Sequence, residues 1–172
     1  MISFIKYFLI FLMVLILQIF VFDQVPQLVP FSRPVLFFAF LMVLPEVETV
    51  WLMVIGFMGG LILDMFYGTP GINASACLLL AYLKVPILRS FKNDEEENVK
   101  SSAHITYLGF TRYFFFILVI SVIFHLVTEF LSVFSLMQAG QTLIRVCINS
   151  ILSVILIYIF EIILFYRKTT NL

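Results

Sequence analysis

Residues 56–71 read Gly56-Phe57-Met58-Gly59-Gly60-Leu61-Ile62-Leu63-Asp64-Met65-Phe66-Tyr67-Gly68-Thr69-Pro70-Gly71. They join an apolar run that begins at Val50 to a second one, Ile72 to Leu88, through the turn residues Tyr67 to Gly71. At about 1.5 Å per residue, each run approaches the roughly 30 Å of a bilayer's hydrocarbon core. A turn this short makes the two helices antiparallel neighbours, so the stretch reads as a membrane α-hairpin.

Composition extends that reading to the whole chain. Of 172 residues, 63% are hydrophobic and 12% charged, against about 25% charged in soluble domains. Mean hydropathy is +1.15. Such a chain cannot cover its apolar surface in water, and its expected surroundings are the lipid bilayer. Ten basic residues balance ten acidic ones, so no global field recruits nucleic acid. Cys77 and Cys147 both fall in apolar runs, which suits reduced thiols packed among helices.

Outward from the hairpin, Tyr7 to Phe22 forms a first apolar run broken only by Gln18. It lacks a small-residue cleavage site and reads as a retained helix. Pro26, Pro30 and Pro34 punctuate the next loop. Val35 to Leu44 is apolar but short, either gaining a turn from Phe31 or crossing shielded by its neighbours, before Pro45, Glu46 and Glu48 end it. Fifth and sixth spans are expected from about Ile105 to Leu131 and Thr142 to Tyr166. The hydrophilic loop 89–104, with its acidic run Asp94 to Glu97, lies between spans four and five. The fold class is therefore all-α: one polytopic membrane domain over 1–172, with six transmembrane helices, the second short.

Charge distribution sets the topology. Six spans place Lys6, Lys84, Arg89, Lys92, Lys100, Arg167 and Lys168 on the cytoplasmic side and leave Arg33 outside, with Arg112 and Arg145 inside the membrane. Five spans would divide the same residues nearly evenly. Both termini and the acidic loop are thus expected in the cytoplasm, and the Gly68-to-Gly71 turn outside.

Charges at membrane depth cost about 2.5–3.5 kcal/mol each on insertion scales and need partners, water or an interface. Asp64 falls about 21 Å along its helix and Glu129 about 33 Å along the next but one. With Arg145 and His125, they form an expected outer polar cluster. Arg112 and Glu161 match in depth near the inner face. These groups read as structural pairs in preference to a transport path. Gly56, Gly59 and Gly60 form a small-residue face that lets another backbone approach closely, with packing inside the fold preferred over contact with another chain. No P-loop, Gly-x-Ser-x-Gly elbow or His-rich metal spacing occurs, and the lone pair His125 and Glu129 is a weak signal for a metal or a proton relay, with a satisfied interfacial histidine the preferred reading. No catalytic residue and no cofactor are expected.

The stretch from Leu44-Pro45 through Gly56, Gly59-Gly60-Leu61, Asp64 and Gly68-Thr69-Pro70-Gly71 to Leu80-Ala81-Tyr82-Leu83 resembles the rod shape-determining protein MreD family. The similarity covers Leu44 to about Arg89. Gly56, Gly60, Asp64, Gly68 and Gly71 fall on the family's motif positions, while Pro70 departs from the more usual bulky apolar residue. The resemblance implies a fold similar to the substrate-binding component of energy-coupling-factor transporters. It also implies a bacterial inner-membrane scaffold of the cell-elongation (Rod) complex, acting with an MreC-like protein, MreB, RodA and a class B penicillin-binding protein in peptidoglycan synthesis. On that view the glycine face of span three, or the short helix beside it, receives a partner helix, with Asp64 fixing the local geometry. The similar fold keeps a vitamin-binding transporter subunit as the alternative.

Overall fold

The computed structural model describes residues 2–20, 34–44, 47–91, 108–133 and 139–164. Most of the acidic loop, including Asp94 to Glu97, lies outside these residues, as do Arg33, Lys92, Lys100, Arg167 and Lys168. Among the described residues every element is a helix: α1 (Ile2–Phe20), α2 (Phe37–Val43), α3 (Thr49–Tyr67), α4 (Ile72–Phe91), α5 (Phe110–Val133) and α6 (Ala139–Leu164). Four stretches, α3, α4, α5 and Ala139–Glu161 of α6, are long and apolar enough to cross a membrane. In α1, Leu9–Phe20 is a shorter apolar stretch.

The α3–α4 hairpin forms as its turn residues require. Gly68, at φ +64°, ends α3 in the left-handed conformation, and Gly71 takes φ +83° just before α4. Both values are strained for any residue carrying a Cβ. Side by side, α3 and α4 make the most extensive helix contact among the described residues, followed by α5 with α6 and α4 with α5. The fourth helix runs past the expected Leu88 to Phe91 despite an internal Pro86. The fifth begins at Phe110, later than expected, directly after Gly109 at φ +74°.

The second segment departs most from expectation. Its helix is only seven residues, Phe37–Val43, about 10 Å of rise. It gains no turn. Instead it is sunk among the long helices: Phe37, Phe38, Leu41 and Met42 are wholly inaccessible. Phe38 stacks on Phe124 of α5 at 4.8 Å, and Phe37 meets Phe11 of α1 edge-on at 5.7 Å. Pro34, at its start, bonds Gln18, which also bonds Tyr67 at the C-terminal end of α3. Glu48 directly precedes the N-terminus of α3, so the segment 34–48 begins at one end of α3 and finishes at the other.

The glycine face of α3 points inward, against α4 and α2, the arrangement that internal helix packing calls for. A Cβ at Gly60 would stand 2.5 Å from the Ala74 Cα, and one at Gly56 would stand 3.2 Å from the Cys77 carbonyl oxygen, both on α4. A Cβ at Gly59 would collide with the Phe37 ring of α2. The three glycines are therefore the seats of α4 and α2. Of the two thiols, Cys77 is buried in this seam, whereas Cys147 is exposed on α6 and is not packed as expected.

Because backbone atoms meet any Cβ at Gly60, Gly60→Val must part α3 from α4. Overpacking of this kind costs about 1–3 kcal/mol, and thermal unfolding of the detergent-solubilised protein should drop accordingly. Gly140→Ala, where a Cβ meets open space, should leave it unchanged.

Candidate functional site

A short helix buried in an apolar bundle exposes unpaired N–H groups at one end and unpaired carbonyls at the other, and lipid satisfies neither. Side chains from three helices do so here. At the N-terminal end of α2, the Leu36 N–H donates to Gln18 Oε1 of α1 at 2.6 Å, and the Val35 N–H donates to Ser153 Oγ of α6 at 3.0 Å. Gln18 Nε2 donates to the Pro34 carbonyl and to the Tyr67 hydroxyl, each at 3.0 Å. At the C-terminal end, Lys84 Nζ donates to the carbonyls of Leu41 and Leu44, at 3.2 and 2.7 Å. An ammonium at the negative end of a helix dipole is favourably placed.

Lys84 is only 3% exposed and Gln18 1%, so both work where water cannot replace them. The sequence marked Gln18 only as a break in an apolar run and Lys84 only as a topological charge. Their signal was present: a polar group within an apolar helix demands a buried partner. What could not be read was the identity of that partner, a helix end some tens of residues away.

Asp64 is likewise spent locally. Its Oδ1 accepts from the Thr69 hydroxyl, the Asn73 N–H and Asn73 Nδ2, at 2.8 to 2.9 Å, and its Oδ2 accepts from the Ala74 N–H at 3.0 Å. Asn73 and Ala74 stand in the first turn of α4, so a carboxylate from α3 fills the role of that helix's N-cap and meets its positive end. Three members of the expected outer cluster have defined partners. Asp64 closes the hairpin, Glu129 accepts from Asn149 Nδ2 at 2.8 Å, and His125 Nε2 meets Ser153 Oγ at 2.9 Å. Arg145 is half-buried near the start of α6.

At the other end, Glu161 is buried beside the Tyr113 and Tyr158 hydroxyls, whereas Arg112 is exposed in the first turn of α5. The two share a depth but not an environment, which corrects the expected Arg112–Glu161 pairing inside the membrane. Ser121 donates to the Ser150 carbonyl at 3.3 Å. From Ser121 to Tyr113 is about 12 Å along α5, and the buried residues between them include Phe116, Ile117 and Ile120. The polar groups of the α5–α6 seam therefore form two separated sets, suited to fixing helix register.

Between the hairpin turn and the last turns of α5 lies a cavity of about 50 Å³. Tyr67, Thr69 and Asn73 form one wall, and His125, Thr128, Glu129 and Ser132 the other. It has room for a few waters, against roughly 300–1,000 Å³ in sites for drug-sized ligands. Among the described residues, no three His, Cys, Asp or Glu side chains come together as a metal site.

Lys84→Met keeps the stem but leaves the Leu41 and Leu44 carbonyls without the ammonium. The expected cost is about 1–3 kcal/mol, read as a lower unfolding temperature, with Ser153→Ala lowering it in the same direction by releasing the Val35 N–H. Asp64→Asn sets an amide donor against the Ala74 N–H and should speed proteolysis at the 67–71 turn relative to wild type.

No family model, no curated protein and no solved structure matches this chain.

Proposed function

We propose that this chain is a non-enzymatic scaffold subunit of the MreD kind in the cell-elongation complex. In this role it holds an MreC-like membrane protein beside MreB, RodA and a class B penicillin-binding protein, and so supports peptidoglycan synthesis and rod shape. One observation carries the reading: the residues on which the resemblance rests are those that build the fold's central joint. Gly56 and Gly60 admit α4, Gly68 and Gly71 turn the chain, and Asp64 caps α4. A likeness at these positions is a likeness of architecture.

The proposed topology is six crossings in the bacterial inner membrane, with both termini cytoplasmic and the Gly68-to-Gly71 turn outside. Its support is the distribution of basic residues and the placement of Pro34 and Glu48 towards opposite ends of α3. A fold similar to the energy-coupling-factor substrate-binding component belongs to the same proposal. With Gly56, Gly59 and Gly60 occupied internally, a partner helix is met by an outward face, which on α3 carries Trp51, Val54, Phe57 and Met58.

A tagged copy isolated from mild-detergent membranes should carry an MreC-like protein and elongation synthases in its mass spectrum. Phe57→Ala with Met58→Ala should reduce that recovery severalfold at unchanged thermal stability. Recovery of an ATPase module or a bound vitamin would overturn the scaffold reading.

A further inference from the structure

At the N-terminal end of α2, one hydrogen-bond chain joins three helices. The Val35 N–H donates to Ser153 Oγ of α6 at 3.0 Å, and the same oxygen lies 2.9 Å from His125 Nε2 of α5. All three residues are buried. A serine hydroxyl carries one hydrogen and accepts through its lone pairs. Among the described residues Ser153 bonds to nothing besides Val35 and His125, in contrast to Thr128 and Ser132, whose hydroxyls turn back to carbonyls of their own helix. Since Val35 is a donor, the Ser153 hydrogen has one acceptor in reach, the Nε2 lone pair of His125.

A neutral imidazole that accepts at Nε2 carries its hydrogen on Nδ1, so the network fixes the tautomer. Packing fixes the ring as well. Phe38 of α2 meets the imidazole edge-on at 6.2 Å and 87°, and Phe124 of α5 meets it at 5.4 Å and 89°. Held between two phenyl rings, the imidazole keeps Nε2 aimed at Ser153. With the hydrogen on Nε2 instead, Ser153 Oγ would face two donors, and its own hydrogen would be left without an acceptor in an apolar bundle, a costly arrangement.

We infer that His125 is the positioning residue of this joint: in the neutral Nδ1–H form it takes the Ser153 hydrogen and so turns a Ser153 lone pair towards the Val35 N–H. The N-terminal end of α2 is thereby tied to α5 as well as to α6. With Nε2 committed, the ring offers the cavity that it lines a donor and no lone pair. That suits it to an oxygen acceptor such as water, and takes from it the roles of metal ligand and general base. The inference is independent of any partner protein.

The test is nitrogen NMR of the purified full chain in detergent, with both ring nitrogens of histidine isotopically labelled. The chain has two histidines, His104 and His125, and His104→Gln assigns the signals. For His125 the expected pattern is a protonated Nδ1 and an unprotonated Nε2. In Ser153→Ala the ring loses its donor, and both tautomers should appear. Hydrogen exchange reads the other end of the chain: His125→Phe should speed exchange of the Val35 amide about tenfold. His125→Gln, whose amide oxygen can accept the same hydrogen, should restore the wild-type rate, and the double variant of His125→Phe with Ser153→Ala should match Ser153→Ala alone. Should His125→Phe fail to fold, the wild-type spectrum decides without any variant at the joint. A protonated Nε2 in the wild type, or exchange effects of the two substitutions that simply add, overturns the proposal.

Discussion

Every polar backbone group of α2 that its own short helix cannot bond must be met by protein, because the bundle around it is apolar and lipid offers nothing in exchange. Seven residues of helix leave most of their N–H and carbonyl groups in this condition. Gln18, Ser153 and Lys84 meet them from α1, α6 and α4. Each bond joins a different long helix to the same short one, so α2 serves as the hub on which three otherwise separate helices are indexed. Removing any of the three leaves a buried donor or acceptor, which costs more than the bond itself contributes.

The α3–α4 hairpin supplies the second constraint. Its glycines bring two backbones into contact, and close approach is what makes packing effective where no hydrophobic force separates helix from lipid. Gly59 alone admits the Phe37 ring, so the same face that seats α4 also seats α2. Asp64 then completes the turn with four accepted hydrogen bonds. A buried carboxyl group is tolerable there because a helix N-terminus and several N–H groups surround it. The joint is rigid for a physical reason.

Legibility in the sequence varied with the range of the interaction. The hairpin was readable because its determinants are contiguous: two apolar runs, a turn with Gly68 and Gly71, and an acid one helical turn before it. Its helices fall within a few residues of expectation. The outer polar cluster was readable only as a matching of depths. Depth says which groups can meet, not which way each faces, and so Asp64 was expected beside Glu129 and Arg145 when it turns instead to Asn73 and Ala74. Arg112 and Glu161 share a depth and diverge for the same reason. Gly56, Gly59 and Gly60 were legible as a site of close approach, while the identity of the approaching element was not.

The sequence by itself determined that this chain is helical and suited to lipid, where its long helices lie, and that the α3–α4 pair is antiparallel. These follow from local composition and from spacing along one chain direction. Only the tertiary structure decided that the second segment is a buried half-length helix, that Lys84 and Gln18 close its ends, and that Asp64 caps α4. Those outcomes depend on the rotation of each helix about its axis and on partners up to 118 residues apart. Hydropathy averaged along a chain carries no information about either.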